Sequence, residues 1–296
     1  MKRNDMNKNL FLIDGHACVY KYYYAYLKKP LYTSYGQDTS VVYGMCNLIK
    51  ILFIGFDVTH IGVIFDPPGG SWRKRLYPQY KATRKKPDDI SEHIALTYDT
   101  LNKWGIYTSA FEDLEADDVI GAIAKKAENL GFTVKIVTKD KDYTQLVNNR
   151  ISLLDLGKSI GKDDVTIIDS KEVKNRFGIY PNQIIDYLSI CGDTADNVKG
   201  ITGIGKKTAA KLLSEYDDIN GIYRNLDKLT KGQKEKFENG KESLNLAHKL
   251  VTLITDVELP INIETDLRRP PNTNNNIIEL FSQLEFNTII RDLTKN

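Results

Sequence analysis

Apolar residues fall in short unbroken runs through the first part of the chain, and between the runs they recur every three or four positions. LFLI at 10–13, GVIF at 62–65 and VKIVT at 134–138 read as strands. An apolar-rich stretch covers 41–54, Ile94, Tyr98 and Leu101 space a helix near 91–104, and Val119, Ile123, Ala127 and Leu130 space another from Asp118. This alternation predicts a mostly parallel central sheet flanked by helices. ISLLDL and VTIID extend the β region, and Ser170 to Gly178 reads as a short helix with a serine cap and a glycine stop. The α/β domain is therefore expected over 1–180. Beyond Pro181 the periodicity is helical: Ile184, Ile185 and Leu188, then Ala209, Leu212, Leu213 and Tyr216, then Leu244, Ala247, Val251 and Ile254. A helical region is expected over 181–296, with Arg268 to Asn276 as an exposed connection and IIELFSQLEF as a short helix that packs back.

The tips of the strand-like runs carry acids. LFLI ends in Asp14, GVIF in Asp66, VKIVT runs into Asp140 and Asp142, and Glu115, Asp117 and Asp118 open the helix that follows. Taken singly, each is equally a turn residue, a cap or a complement to a helix dipole. In an open α/β sheet, however, the carboxyl ends of the strands face one crevice, so these segments converge. Asp193 and Asp196, three apart in GDTADN, add a pair that a helical turn would place on one face. An all-oxygen set of this kind selects Mg²⁺ or Mn²⁺ over zinc or copper, and two such ions can hold both oxygens of a phosphodiester undergoing in-line displacement.

Composition narrows the setting. The chain has 296 residues, and its formal charge of +2 comes from 41 basic and 39 acidic residues that are segregated along it. Cys18, Cys46 and Cys191 form neither a disulfide framework nor a zinc motif, which fits a reducing cytoplasm. The charged amino terminus precedes an apolar run too short for a signal peptide, and no run is long enough to span a membrane. The histidines show no ligand spacing and read as structural or surface groups. No Ser-His-Asp or Cys-His grouping occurs.

Arg73 to Lys86 holds seven basic residues and no acid, with Tyr77 and Tyr80 interleaved. A solvated face is the plain reading of such a run. Placed directly after Asp66, it also offers phosphate contacts and rings for stacking on unpaired bases, with Pro78 and Pro87 limiting any helix. Gly200 to Thr208 (GITGIGKKT) precedes a helix. Lys207 stands where a P-loop needs Ser or Thr, and Thr208 where a dinucleotide fingerprint needs glycine, so nucleotide binding is excluded there. A glycine turn that presents backbone N–H groups to a phosphate remains, beside a turn with glycines for geometry alone.

Together these segments resemble the 5′-nuclease family: the 5′-to-3′ exonuclease domain of bacterial DNA polymerase I and the flap endonucleases. The resemblance runs from LFLIDG through FDPPGGSWRKRLYPQYKATR, EADDVIGAIAKKA, VTKDKDYTQL and GDTADNVKGITGIGKKTAAKLL to the closing LEF. It implies a PIN-like 5′-nuclease fold with a helical arch, here about 68–100, and a helix-hairpin-helix, here about 184–217. By position, Asp14, Asp66, Glu115, Asp117, Asp118, Asp140, Asp142, Asp193 and Asp196 match the family's metal-site acids. Arg73, Tyr80, Lys81 and Arg84 match the arch residues that engage the scissile phosphate or the single-stranded 5′ end, with Lys81 and Arg84 expected to act in catalysis and Arg73 and Tyr80 in DNA binding. Gly203, Gly205, Lys206 and Lys207 match the duplex contact, which in this family can also hold K⁺. Lys21 stands where arginine is usual, replacing a bidentate fork by a point charge. Pro67-Pro68-Gly69-Gly70 is a further departure.

The expectation is a monomeric, cytoplasmic, structure-specific 5′ nuclease of DNA replication or repair, with two or more Mg²⁺ or Mn²⁺ ions, that cuts DNA at single-strand/double-strand junctions or 5′ flaps. Two alternatives stay open: an RNA-directed nuclease of related fold, acting on RNA primer strands, and a junction-binding protein without chemistry.

Overall fold

The structure is a computed structural model that describes residues 8–157 and 165–295; the charged residues 1–7 weighed above as a leader lie outside them. Six strands form one sheet in the order β3-β2-β1-β4-β5-β6: β1 (Asn9–Asp14), β2 (His60–Ile64), β3 (Tyr107–Ser109), β4 (Thr133–Val137), β5 (Ile151–Leu156) and β6 (Val165–Ile168). All neighbours run parallel except the β5–β6 pair at the edge, which is antiparallel. The order turns back at β1, and ligands of open sheets bind at such a reversal.

Burial on both faces explains the unbroken apolar runs. Leu10 and Leu12 of β1, with Val134 and Ile136 of β4, point to one side, onto Val119, Ile120 and Ile123 of α5 (Ala116–Asn129). Phe11 and Ile13, with Ile61 and Val63 of β2, point to the other. There they meet α1 (Gly15–Tyr26), α2 (Ser40–Gly55) and α4 (Ile90–Trp104) through Val19, Met45, Ile49 and Trp104. Between α2 and α4 lies the short α3 (Trp72–Leu76), which opens the basic segment. The helix after β6, α6 (Ser170–Phe177), is capped by Asp169, whose carboxylate accepts the Glu172 N–H; the expected Ser170 cap is one residue off because the aspartate reaches that donor first. Its stop is Gly178 at φ 77°, the left-handed region that glycine enters freely.

The remaining chain is helical. α7 (Ile184–Cys191), α8 (Lys206–Tyr216), α9 (Ile219–Arg224), α10 (Lys231–Asn239) and α11 (Lys241–Val251) bury Leu188, Leu213, Ile222, Phe237 and Leu250 in the same cluster as α5. α12 (Ile263–Asp266) leads to α13 (Asn275–Gln283) and α14 (Asn287–Thr294), whose Ile277, Phe281, Ile289 and Leu293 return to the opposite face of the sheet beside Trp104. Among the described residues no helix is long and apolar enough to cross a membrane.

Candidate active site: an acidic bowl at the strand ends

Each acid is placed by the end of an element. Asp14 closes β1 and caps α1, accepting the Ala17 N–H at 2.9 Å; the Tyr143 hydroxyl donates to its other oxygen at 3.2 Å. Burial foremost, and then Asp66 and Asp140 nearby, push its carboxyl up to about 7. Asp66, just past β2, accepts the Ala116 N–H at 2.8 Å and so ties this loop to the start of α5. His16 lines the same wall, its Nδ1 accepting the Asp66 N–H at 3.0 Å, and burial keeps its pKa below the ordinary imidazole value. Asp140 caps the 3-10 turn Lys141–Leu146 by accepting the Asp142 N–H at 3.0 Å. Asp142 is driven up to about 7 by burial and then by Asp140.

Asp193 and Asp196 follow α7 in a tight turn rather than a helix, closed by backbone bonds between Asp193 and Val198. That turn is compact because Gly192 and Gly200 lie backbone to backbone: a Cβ on Gly200 would stand 2.4 Å from the Gly192 nitrogen. One carboxylate oxygen from each of Asp142, Asp193 and Asp196 lies within 4.8 Å of the others, a separation that one hard cation can bridge.

The basic segment folds onto this bowl. Lys81 sits at φ 53°, an uncommon conformation for a side chain of its size, held by its N–H to the Asp196 carbonyl. Its ammonium is 2.7 Å from Glu115 and 3.7 Å from Asp196, while Arg84 also binds Asp196. Burial raises the Asp196 carboxyl, but Lys81 and Arg84 outweigh it and hold the group below the usual range. Tyr80 is 3% exposed, and its hydroxyl donates to Glu115 and Asp196. The expected stacking of its ring on bases is therefore ruled out in this arrangement: the ring packs in the core and only its hydroxyl serves the site.

Asp118 and Arg73, named above as a metal-site acid and an arch residue, bind each other. Asp118 is fully buried, and both oxygens are filled: Arg73 forks onto it at 2.6 and 2.7 Å, Trp72 Nε1 donates at 3.1 Å and the Ile254 N–H at 2.9 Å. Arg73 gives two more donors to the carbonyls of Leu250 and Thr252, and its Nη1 also lies 3.6 Å from Glu115 and 3.8 Å from Asp117. In this arrangement the lone pairs of Asp118 are all taken, and Arg73, 1% exposed, is turned toward acids rather than toward solvent. Asp117 does face the bowl, pushed well above the ordinary carboxylate value by burial although Arg73 and Lys81 pull it down.

Eight carboxylates thus face four cations, Arg73, Lys81, Arg84 and Lys141. The last, unassigned by sequence reasoning although it lies between two named acids, binds Asp193 at 2.5 Å and Asp142 at 3.2 Å. Lys21 places its ammonium 5.4 Å over the Tyr22 ring. The glycine hairpin stands apart on the helical region: Gly203 at φ 80°, Gly205 as the N-cap of α8, and Lys206 and Lys207 exposed in its first turn.

Residues 9–178 match the family profile described as 5′-3′ exonuclease, N-terminal resolvase-like domain, and residues 179–274 match that of the 5′-3′ exonuclease C-terminal SAM fold. The chain is 33% identical over 289 residues to a 5′-3′ exonuclease of Aquifex aeolicus, covering 97% of this chain and 96% of that one. It is 34% identical over 285 residues to DNA polymerase I of Caldicellulosiruptor bescii, covering 96% of this chain and 33% of that one; the chain spans about a third of the length of such polymerase relatives. In structure it is similar to the bacteriophage T5 D15 flap endonuclease in complex with DNA and metal ions, with a TM-score of 0.68, 18% identity and 97% of each chain covered.

Proposed function

The chain belongs to the 5′-3′ exonuclease family, and we propose how its parts divide the work on DNA. It is a structure-specific 5′-3′ exonuclease and flap endonuclease, a metal-dependent phosphodiesterase. The observation that carries our assignment is the convergence of Asp142, Asp193 and Asp196 within 4.8 Å, with Lys81 and Arg84 on the rim of the same cluster. The donor set is all carboxylate, which fits Mg²⁺ or Mn²⁺. Asp14, Asp66, Glu115, Asp117, Asp140, Asp142, Asp193 and Asp196 would hold two or more such ions. Bound there, the ions supply charge neutralisation at the scissile phosphate and a more acidic water.

The protein's own groups then have separate tasks. Lys81 and Arg84 turn from the acids toward the phosphate and offset the charge that builds there. Tyr143 holds Asp14 and Tyr80 holds Glu115 and Asp196, fixing carboxylates that would otherwise rotate apart. The Gly203–Lys207 hairpin holds the duplex side of a junction or 5′ flap by backbone N–H groups and lysine ammoniums, a contact independent of base sequence; a K⁺ ion at its carbonyls would have to displace the Lys236 ammonium from the Gly203 carbonyl. Lys21 contributes a point charge to the 5′ strand.

A labelled 5′ flap of DNA and its RNA counterpart, each incubated with Mg²⁺ and with EDTA, test this reading. Cleavage of the DNA flap that EDTA abolishes is expected, and preferential cleavage of the RNA would move the substrate to RNA. Asp142→Asn should abolish cleavage while the chain still folds and binds DNA; retained turnover would remove Asp142 from the site.

A further inference from the structure

The 3-10 turn after β4 puts a lysine between two acids of the bowl, and that lysine does not point away. Lys141 reaches across to the turn after α7, with its Nζ 2.5 Å from Asp193 Oδ2 and 3.2 Å from Asp142 Oδ1, its side chain 30% exposed. Asp142 and Asp193 are two of the three acids whose oxygens converge. A single ammonium thus spans two carboxylates from different segments, one of them 52 residues from the lysine itself, the bridging position of an ion. We infer that Lys141 is a resident counter-ion of the Asp142–Asp193 pair, which competes with a divalent cation for the same carboxylate oxygens. The inference rests on the reading that divalent ions bind these acids.

Lysine suits the task better than arginine would. Its ammonium is a strongly hydrated point charge on a flexible stem, without the planar fork that locks Arg73 onto Asp118. It can hold two carboxylates together, leave when an ion enters, and stand next to the bound phosphate. Lys139, two positions earlier, makes a useful contrast: it carries the same charge on the same loop but pairs with Asp155, at 3.5 Å, outside the converging trio.

The test is Mn²⁺ binding to the full chain by titration calorimetry, read without reference to cleavage. Lys141→Met should tighten the isotherm by roughly three- to tenfold, the scale of one partly buried ion pair that no longer has to be opened. Lys141→Arg, which keeps the charge, should not tighten it. Lys139→Met removes an equal charge nearby and should leave it close to wild type. Lys141→Gln serves in place of the methionine if that variant does not fold, with the same direction expected. An unchanged or weakened isotherm for the neutral Lys141 variants, or an equal gain from Lys139→Met, would overturn the competition while leaving the metal site in place. A wild-type chain that binds no Mn²⁺ would overturn both.

Discussion

Asp118 and Lys81 lie on opposite sides of a single distinction, between acids and cations that make the site and those that hold it. Breaking a buried ion pair by removing one partner leaves the other charge stranded, at a cost of about 3–5 kcal/mol. Asp118→Asn should therefore lower stability on that scale in urea denaturation, because Arg73 is 1% exposed and loses its only forked partner. The number of Mn²⁺ ions bound per folded molecule should stay the same; full stability with an ion lost would return Asp118 to the ligand set. Lys81→Met has the opposite signature. Its side chain is only partly buried, its charge faces the bowl and Arg84 still faces Asp196, so turnover should fall by roughly 10²- to 10³-fold with a smaller loss of stability than for Asp118→Asn. An unchanged rate would take Lys81 out of the chemistry. Sequence could name the acids because strand tips converge by a general rule. It could not separate Asp117 from Asp118, neighbours in one acidic cap, since the difference is made by a guanidinium 45 residues upstream whose own run reads as exposed.

At the level of elements, the glycines around the helical hairpin do three different jobs that one motif conceals. Gly203 supplies a positive φ, Gly200 a close approach of backbones, and Gly205 neither: it is extended at φ −93°, and a Cβ there would meet nothing within 4 Å. Gly200→Ala would press its methyl to 2.3 Å from the Ile190 carbonyl and should cost about 2 kcal/mol or more, displacing the turn that carries Asp193 and Asp196. Gly205→Ala should fold normally yet weaken binding of duplex DNA in fluorescence anisotropy, because its methyl would stand where a phosphate approaches the first amides of α8. Normal affinity would reduce this hairpin to a structural turn. Five of the six strands were legible as short apolar runs, the helix at 91–104 from its spacing and that at 170–178 from its cap and glycine stop; β3, the three-residue YTS at Tyr107–Ser109, carries no such run. α14 was not legible either, since Asn287 to Thr294 is short and declares itself only through Ile289 and Leu293 against the distant Phe281.

For the molecule as a whole, the sheet and the helical region cooperate to hold together charges that repel. Eight carboxylates against four cations leave an excess that burial makes worse, and Asp14 and Asp142 show it most clearly, each raised from 3.8 to about 7. For a carboxyl whose folded pKa is raised, the folded state holds the proton more tightly than the unfolded chain does. Its stabilising contribution is therefore present at low pH and is lost as pH climbs from about 4 through about 7. With EDTA present, the melting temperature should fall between about pH 5.5 and 8, by an amount on the order of a few kcal/mol of stability. A divalent cation reverses the sign, since it binds the ionised carboxylates and so stabilises more at pH 8 than at pH 5.5. Scanning calorimetry at both pH values, with EDTA and with saturating Mg²⁺, separates the two effects. The gap between the Mg²⁺ and EDTA melts should widen as pH rises, and protons should be released when Mg²⁺ is added near pH 6. A gap that stays constant, or an EDTA melt that improves toward pH 8, would mean that Asp14 and Asp142 are already ionised at no cost. The bowl would then owe its convergence to Arg73, Lys81, Arg84 and Lys141 rather than to a bound ion.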